Sequence, residues 1–437
     1  MTLPAALPRN REFANLRPRQ RVKGQLTNKA PTALDMPVPA VHPLKVANFR
    51  SLWVGLTISL LGDQFYFVAL PWVILQMTGS PVALGTVLLI TAVPRSVFML
   101  IGGVVSDRFS SRRILIVTGT VRMLAVAAMA ALLHFHAIRA WHLSFLAVAF
   151  GVADAFSMPA WQALTPPLVN DEQLPAANAL ISGSEQVSSI LGPAPAGLAV
   201  RLWGVASAFL IDAVSFGFVI VALLCLPESS FVRDGKKSQG VWRELLEGFE
   251  YVAKDPPMRS LLLLIGALNI GVIGPLSVGL AVIGNRRFGS SAAFGAMLTA
   301  LAAGELVGSL LPAAIKTPRK RGLLLLMFCG LLGIGMMAIG FLTHLVAILV
   351  VLVLLGSGNG LAVVYLLAWF QARVDPDLLG RLMSILMFAV VGLSPLSYAV
   401  AGILVNFSIE TMFIAAGTLV LATAFFTALS SEVSAID

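Results

Sequence analysis

Apolar stretches of about 20 residues, nearly free of charge, constrain this chain most, because a helix of that length crosses a bilayer core. Residues 81–105 contain one charge, Arg95, and residues 114–133 contain one, Arg122. Twelve such segments follow one another, at roughly 51–77, 81–105, 113–136, 141–163, 176–200, 203–226, 260–284, 291–315, 322–343, 345–371, 381–405 and 409–430. With 58% hydrophobic and 12% charged residues and a mean hydropathy of +0.89, the chain is too apolar for a water-soluble globule. The fold class expected is an all-α integral membrane protein.

The net charge of +9 would suit nucleic acid if it were gathered on one surface. Here the basic residues sit in loops and tails between apolar spans, so no nucleic-acid partner is expected. All but six of the 30 Lys and Arg fall on the side of the N-terminal tail. Arg139, Arg201, Arg286 and Arg287 fall on the other side, and Arg95 and Arg122 lie within the membrane. This asymmetry places both termini in the cytoplasm. Residues 1–45, rich in Pro and Arg and lacking the apolar core of a signal peptide, read as a disordered basic cytoplasmic tail. The longest internal loop, 227–259, separates residues 46–226 from 260–430, six spans each. Within it Trp242, Leu245, Leu246, Phe249 and Val252 recur at helical spacing, as in a helix lying at the membrane interface. Residues 431–437 form a second cytoplasmic tail.

Between spans 2 and 3 lies a charged hinge, Gly102–Ile116, GGVVSDRFSSRRILI. An acid, Asp107, is followed by Arg108, Arg112 and Arg113, which suggests a carboxylate held by guanidinium forks. The stretch resembles the signature loop between helices 2 and 3 of the major facilitator superfamily, G-x-L-a-D-R-x-G-R-R. Gly103, Asp107, Arg108, Arg112 and Arg113 match, while Val105 replaces Leu and Ser110 and Ser111 replace a Gly (or Asp) and an Arg. In span 5, Ser188-x-x-x-Gly192-Pro193-Ala194-Pro195-Ala196-Gly197 is similar to the G-x-x-x-G-P-x-x-G-G element of exporters in that superfamily, with Ser188 and Ala196 in place of two glycines. Physically, the small residues permit close helix contact and the prolines bend the span. Phe49-Arg50-Ser51-Leu52-Trp53, Gly62-Asp63, Ala69-Leu70-Pro71-Trp72 and Thr78-Gly79-Ser80 resemble the branch containing enterobactin exporters and macrolide efflux proteins.

The resemblance implies twelve helices in two pseudo-symmetric six-helix bundles, acting as a monomer in the bacterial inner membrane. It implies proton-driven export of bulky amphiphilic or aromatic compounds, and a conformational gate at Gly103, Asp107, Arg108, Arg112 and Arg113. In this superfamily spans 1, 4, 7 and 10 line the cavity, which makes Asp63, Gln64, Asp154, Asn269 and Asn359 the substrate-cavity candidates. Gly192, Pro193 and Gly197 are the helix-bending element. An internal repeat agrees with two bundles: a shift of 205 lays Gly151–Ala155 on Gly356–Gly360, Ala196-Gly197-Leu198 on Ala401-Gly402-Ile403, and Gly103 on Gly308.

Charges inside spans are costly in hydrocarbon and mark function. The first half holds Asp63, Asp154, Glu185 and Asp212 against Arg95 and Arg122, and the second half offers Glu305 with the amides Asn269 and Asn359. The proton-coupling candidates are the first-half groups Glu185, Asp63, Asp154, Asp212, Arg95 and Arg122, Glu185 first because it precedes the bendable element, and Asp63 second. Fixed ion pairs to Arg95 or Arg122 are the structural alternative, and no sequence argument pairs them individually. No Gly-rich phosphate loop ending in Lys-Ser/Thr and no His/Cys metal spacing is present, and Cys225 and Cys329 are far apart, so no enzyme, cofactor or metal is expected. The expected partners are a small-molecule substrate, protons and the lipid bilayer. The competing functions are an importer of a small polar nutrient and a lipid or lysolipid flippase.

Overall fold

In hydrocarbon each backbone N–H and C=O must find a partner within its own segment, so apolar runs of this length become helices. The computed structural model describes residues 42–227, 256–314, 321–373 and 392–429. The helices are α1 (Ala47–Thr78), α2 (Pro81–Arg108), α3 (Ser111–His134), α4 (Ala140–Leu164), α5 (Leu174–Leu191), α6 (Pro193–Trp203) and α7 (Val205–Leu224). There follow α8 (Pro256–Gly274), a π-helical turn at Pro275–Gly279, α9 (Leu280–Arg286), α10 (Ser291–Ala314), α11 (Arg321–Phe341), α12 (Leu345–Arg373), α13 (Ser394–Phe407) and α14 (Ile409–Leu429). Among the described residues nine helical stretches are long and apolar enough to cross a membrane, and Leu326–Phe341 and Ser394–Phe407 are shorter apolar helices. Span 5 is the broken pair α5–α6. Each of the twelve apolar segments thus coincides, wholly or in part, with helix.

Several sequence expectations lie outside the described residues: the tail up to residue 41, the interfacial helix of Trp242–Val252, and the C-terminal residues 431–437. The described chain begins at His42, inside the stretch assigned to the tail, with a 3-10 turn at Pro43–Lys45.

Local chemistry sets the turns. Gly79 ends α1 in the left-handed region at φ 62°, and Ser80 Oγ caps α2 by accepting from Ala83 N–H, with Pro81 at the first helical position. The charged hinge is almost entirely helical. Gly103, Asp107 and Arg108 complete α2, Phe109 and Ser110 make the turn, and Arg112 and Arg113 open α3. Arg112 donates from Nε to Leu223 O (2.7 Å) and from Nη2 to Leu224 O (3.0 Å), capping the C-terminus of α7. Arg287 does the same for α11, donating to Leu342 O at 2.7 Å and pairing with Glu410 at 2.7 Å. Cations at helix C-termini complement orphan carbonyls and the helix dipole.

Repeat-related helices pack alike. α2 lies along α4 and α10 along α12. Gly151 of α4 sits against the backbone of Thr91, and Gly356 of α12 against the backbone of Leu301. Within α2 and α10 the equivalence is therefore an offset of 210, and the alignment of Gly103 with Gly308 at an offset of 205 does not hold in three dimensions. The ungapped shift fails there because the two copies differ in length between these helices.

Among the described residues the two most extensive seams between the first six spans and the last six are α2 with α13, and α6 with α10. A Cβ on Gly85 would lie 2.7 Å from Tyr398 O and 2.9 Å from Gly402 Cα. A Cβ on Gly295 would lie 3.2 Å from Gly197 Cα. Gly197 and Gly402, which the 205-residue shift superposes, are thus the close-approach points of the two seams. Both seams lie toward the membrane face that carries the Gly79 turn, where Arg286 Nη2 also reaches Gly79 O at 3.5 Å.

Candidate functional site

Five helices of the first half each bring one charged side chain to its centre: Asp63 from α1, Arg95 from α2, Arg122 from α3, Asp154 from α4 and Asp212 from α7. Arg122 Nη2 lies 2.6 Å from Asp63 Oδ1, and Arg122 Nη1 lies 3.5 Å from Asp154 Oδ1. Arg95 Nε lies 3.0 Å from Asp154 Oδ2, an ion pair without hydrogen-bond alignment, since Nε is a buried polar atom with no bonded partner. The chain Asp63–Arg122–Asp154–Arg95 runs from dry to wet: side-chain exposures are 13%, 8%, 19% and 38% in that order.

Aromatic rings make the dry end. The Arg122 guanidinium lies between Phe150 and Phe216, with Cζ 4.3 and 4.5 Å from their centroids. Tyr66 stacks on Phe150 at 4.0 Å. A flat guanidinium keeps cation–π contact with both rings while its fork reaches two carboxylates, which a Lys ammonium cannot do. Gly62 lets α7 come close: a Cβ there would strike Ser215 and lie 3.0 Å from Asp212 Oδ1. Asp212 itself is fully buried, and its Oδ2 has no hydrogen-bond partner among the described residues.

The wet end opens into a cavity of about 230 Å³ between the two halves. Arg95 is the one charged residue of its wall among the described residues, set among Tyr66, Phe67, Pro71, Ser277, Phe294 and Tyr398, with Thr91, Ser96 and Ser394 adding hydroxyls. Of the substrate-cavity candidates, Asp63, Gln64, Asp154, Asn269 and Asn359 all lie off this lining. Asp63 and Asp154 stand behind Arg95 in the ion-pair chain. Gln64 fills the notch left by Gly192 at the break in span 5. Asn269 is buried in α8, and Asn359 Nδ2 donates to Glu305 Oε1 at 3.0 Å. Asp63, Asp154 and Asn359 thus turn to partners on neighbouring helices, as burial demands, whereas Asn269 Oδ1 has no hydrogen-bond partner among the described residues. The aromatic lining carried no sequence signal, since such residues recur throughout the apolar runs.

Glu185 lies on the exposed side of α5 and joins none of these ion pairs. Gly192 and Pro193 mark the break between α5 and α6, and Gly197 lies in the α6–α10 seam. Asp107 and Arg108 occupy the last turn of α2, their side chains outside the described set, and residues 374–391, which include the start of span 11, are outside it as well.

The family model of the Major Facilitator Superfamily matches residues 52–396. The chain belongs to the Major Facilitator Superfamily. Among curated members it is 24% identical over 398 residues to macrolide efflux protein A of Streptococcus pyogenes, covering 89% of this chain and 97% of that protein. It is 25% identical over 359 residues to the enterobactin exporter EntS of Shigella boydii, covering 81% and 83%. In structure it resembles a bacterial homologue of the human lysosomal transporter Spinster, solved in an inward-facing and unoccupied conformation. That match has a TM-score of 0.67 at 14% identity and covers 90% of this chain and 97% of the other. This Major Facilitator Superfamily member is therefore a multi-pass membrane transporter of small molecules and not an enzyme.

Proposed function

We propose that this chain is a proton-coupled exporter of bulky amphiphilic or aromatic small molecules, working as a monomer by alternating access, with both termini in the cytoplasm. The observation that carries the reading is the Asp63–Arg122–Asp154–Arg95 chain, which links a mostly apolar cavity to buried carboxyl groups. Three acids, with Asp212, face two guanidinium groups, so one proton balances the cluster. A substrate filling the aromatic cavity screens Arg95 from water and so strengthens its pairing with Asp154, 3.0 Å away. The strengthened attraction within the cluster then releases the balancing proton. When the cavity opens to the other side and the substrate leaves, Arg95 returns to water and a proton rebinds. With the termini cytoplasmic, the two glycine seams lie on the outer side, so the cavity communicates with the cytoplasm, where an exporter loads. The export of a macrolide or a siderophore by relatives agrees with this direction and with the aromatic lining.

Uptake of a fluorescent amphiphilic dye into inverted vesicles tests the reading. Protein-dependent accumulation under an imposed pH gradient, abolished by an uncoupler, is the expected result. Accumulation indifferent to the uncoupler would overturn proton coupling, and protein-dependent entry into intact cells would favour the importer.

A further inference from the structure

We propose that Thr299 of α10 latches the seam between the halves by inserting its hydroxyl into the interrupted helix of span 5. The helical ladder there is intact on both sides of the break, with Gly192 N–H on Ser188 O at 2.8 Å and Ala196 N–H on Gly192 O at 3.0 Å. Between them Pro193 and Pro195 have no N–H to give. Only Ala194 retains one, and its ordinary partner is Ile190 O, four residues back. Instead Ala194 N–H donates to Thr299 Oγ1 at 3.2 Å, and Thr299 Oγ1 donates to Ile190 O at 2.9 Å. One hydroxyl thus replaces one helical hydrogen bond, and it comes from the opposite half of the molecule.

Among the described residues the same arrangement occurs inside the second half as well. Gly274 N–H donates to Ser397 Oγ at 2.7 Å, and Ser397 Oγ donates to Ile270 O at 2.8 Å, at the break before Pro275. There both helices belong to one bundle and nothing in the cycle parts them. The Thr299 insertion differs in spanning the α6–α10 seam, beside the Gly197–Gly295 contact, so alternating access must withdraw it. An amide and a carbonyl left facing each other in hydrocarbon do not stay unpaired. They close on each other, and span 5 straightens at Ala194. Seam closure and the bend of span 5 are then two readouts of one switch. This rests on alternating access alone and holds whether or not protons drive transport.

The test uses purified protein in nanodiscs, with Cys225 and Cys329 replaced and no substrate or pH gradient. Spin labels at Arg201→Cys and Thr343→Cys report the opening between the halves, and labels at Val187→Cys and Arg201→Cys report the bend of span 5. Thr299→Val keeps the size and removes the hydroxyl, so the closed seam leaves two backbone groups unpaired. The parted population is expected to rise roughly tenfold, with span 5 longer in that population. Thr299→Ser restores the hydroxyl and is expected to match the parent. Thr299→Ala, which cannot crowd the seam, is expected to repeat the Val result and serves if Val does not fold. Unchanged distances in Val or Ala, a Ser variant as open as Val, or a parted population with the same bend would each overturn the proposal.

Discussion

Replacing Asp63 with Asn asks whether the buried carboxyl titrates during transport or only holds helices together. The substitution removes a charge and keeps an acceptor near its present place, 2.6 Å from Arg122 Nη2. Two unit charges about 4 Å apart interact by about 4 kcal/mol at an effective dielectric constant near 20. The Asn oxygen still accepts from a guanidinium, a bond worth about 1.5–3 kcal/mol. Arg122 also keeps Asp154 at 3.5 Å and its two aromatic rings. The expected loss of stability for Asp63→Asn is therefore about 1–2.5 kcal/mol. Asp63→Ala leaves that end of the guanidinium unpaired and is expected to cost about 3–5 kcal/mol. Unfolding followed by intrinsic Trp fluorescence in detergent measures both. In proteoliposomes the Asn variant is expected to bind dye and exchange it downhill, but not to concentrate it under a pH gradient. Gradient-driven accumulation by Asp63→Asn at the parental rate would refute titration at this carboxyl. Equal losses for Asn and Ala would refute the assigned hydrogen bond.

Gly197→Ala would place a methyl group 3.0 Å from the Ser291 carbonyl carbon and 3.1 Å from Ala292 Cα. Backbone atoms cannot swing aside, so the variant is expected to disfavour the closed seam by about 1–3 kcal/mol in the same distance measurement. Gly217→Ala, with nothing within 4 Å, is the control and is expected to leave the distances unchanged. Arg112→Ala strips the carbonyls of Leu223 and Leu224 of their cap and is expected to cost about 1–2 kcal/mol in detergent unfolding, with Lys recovering part of the loss. Asp107→Asn is expected to reduce efflux severely with normal membrane insertion; normal efflux by a well-expressed variant would refute the gate assigned to that acid.

The sequence determined that this chain lives in a membrane, roughly where its spans fall, and which superfamily it belongs to. Each of these depends on local information: span length, a Ser80–Pro81 start, a Gly79 stop, or a charged turn of fixed spacing. It also singled out Asp63, Asp154, Arg95 and Arg122, which the structure brings into one ion-pair chain, because charge in hydrocarbon is rare and expensive. Who pairs with whom was decided only by packing. Asp63 and Arg122 are 59 residues apart, as are Arg95 and Asp154, and no spacing rule connects positions on separate helices. Glu185 looked favourable because it stands next to the bend in span 5; the structure leaves it exposed and in none of these ion pairs, which no sequence spacing could have told. Thr299 illustrates the limit most plainly. A threonine in an apolar run carries no signal, and it gains a partner only when another half of the chain offers a broken helix beside it.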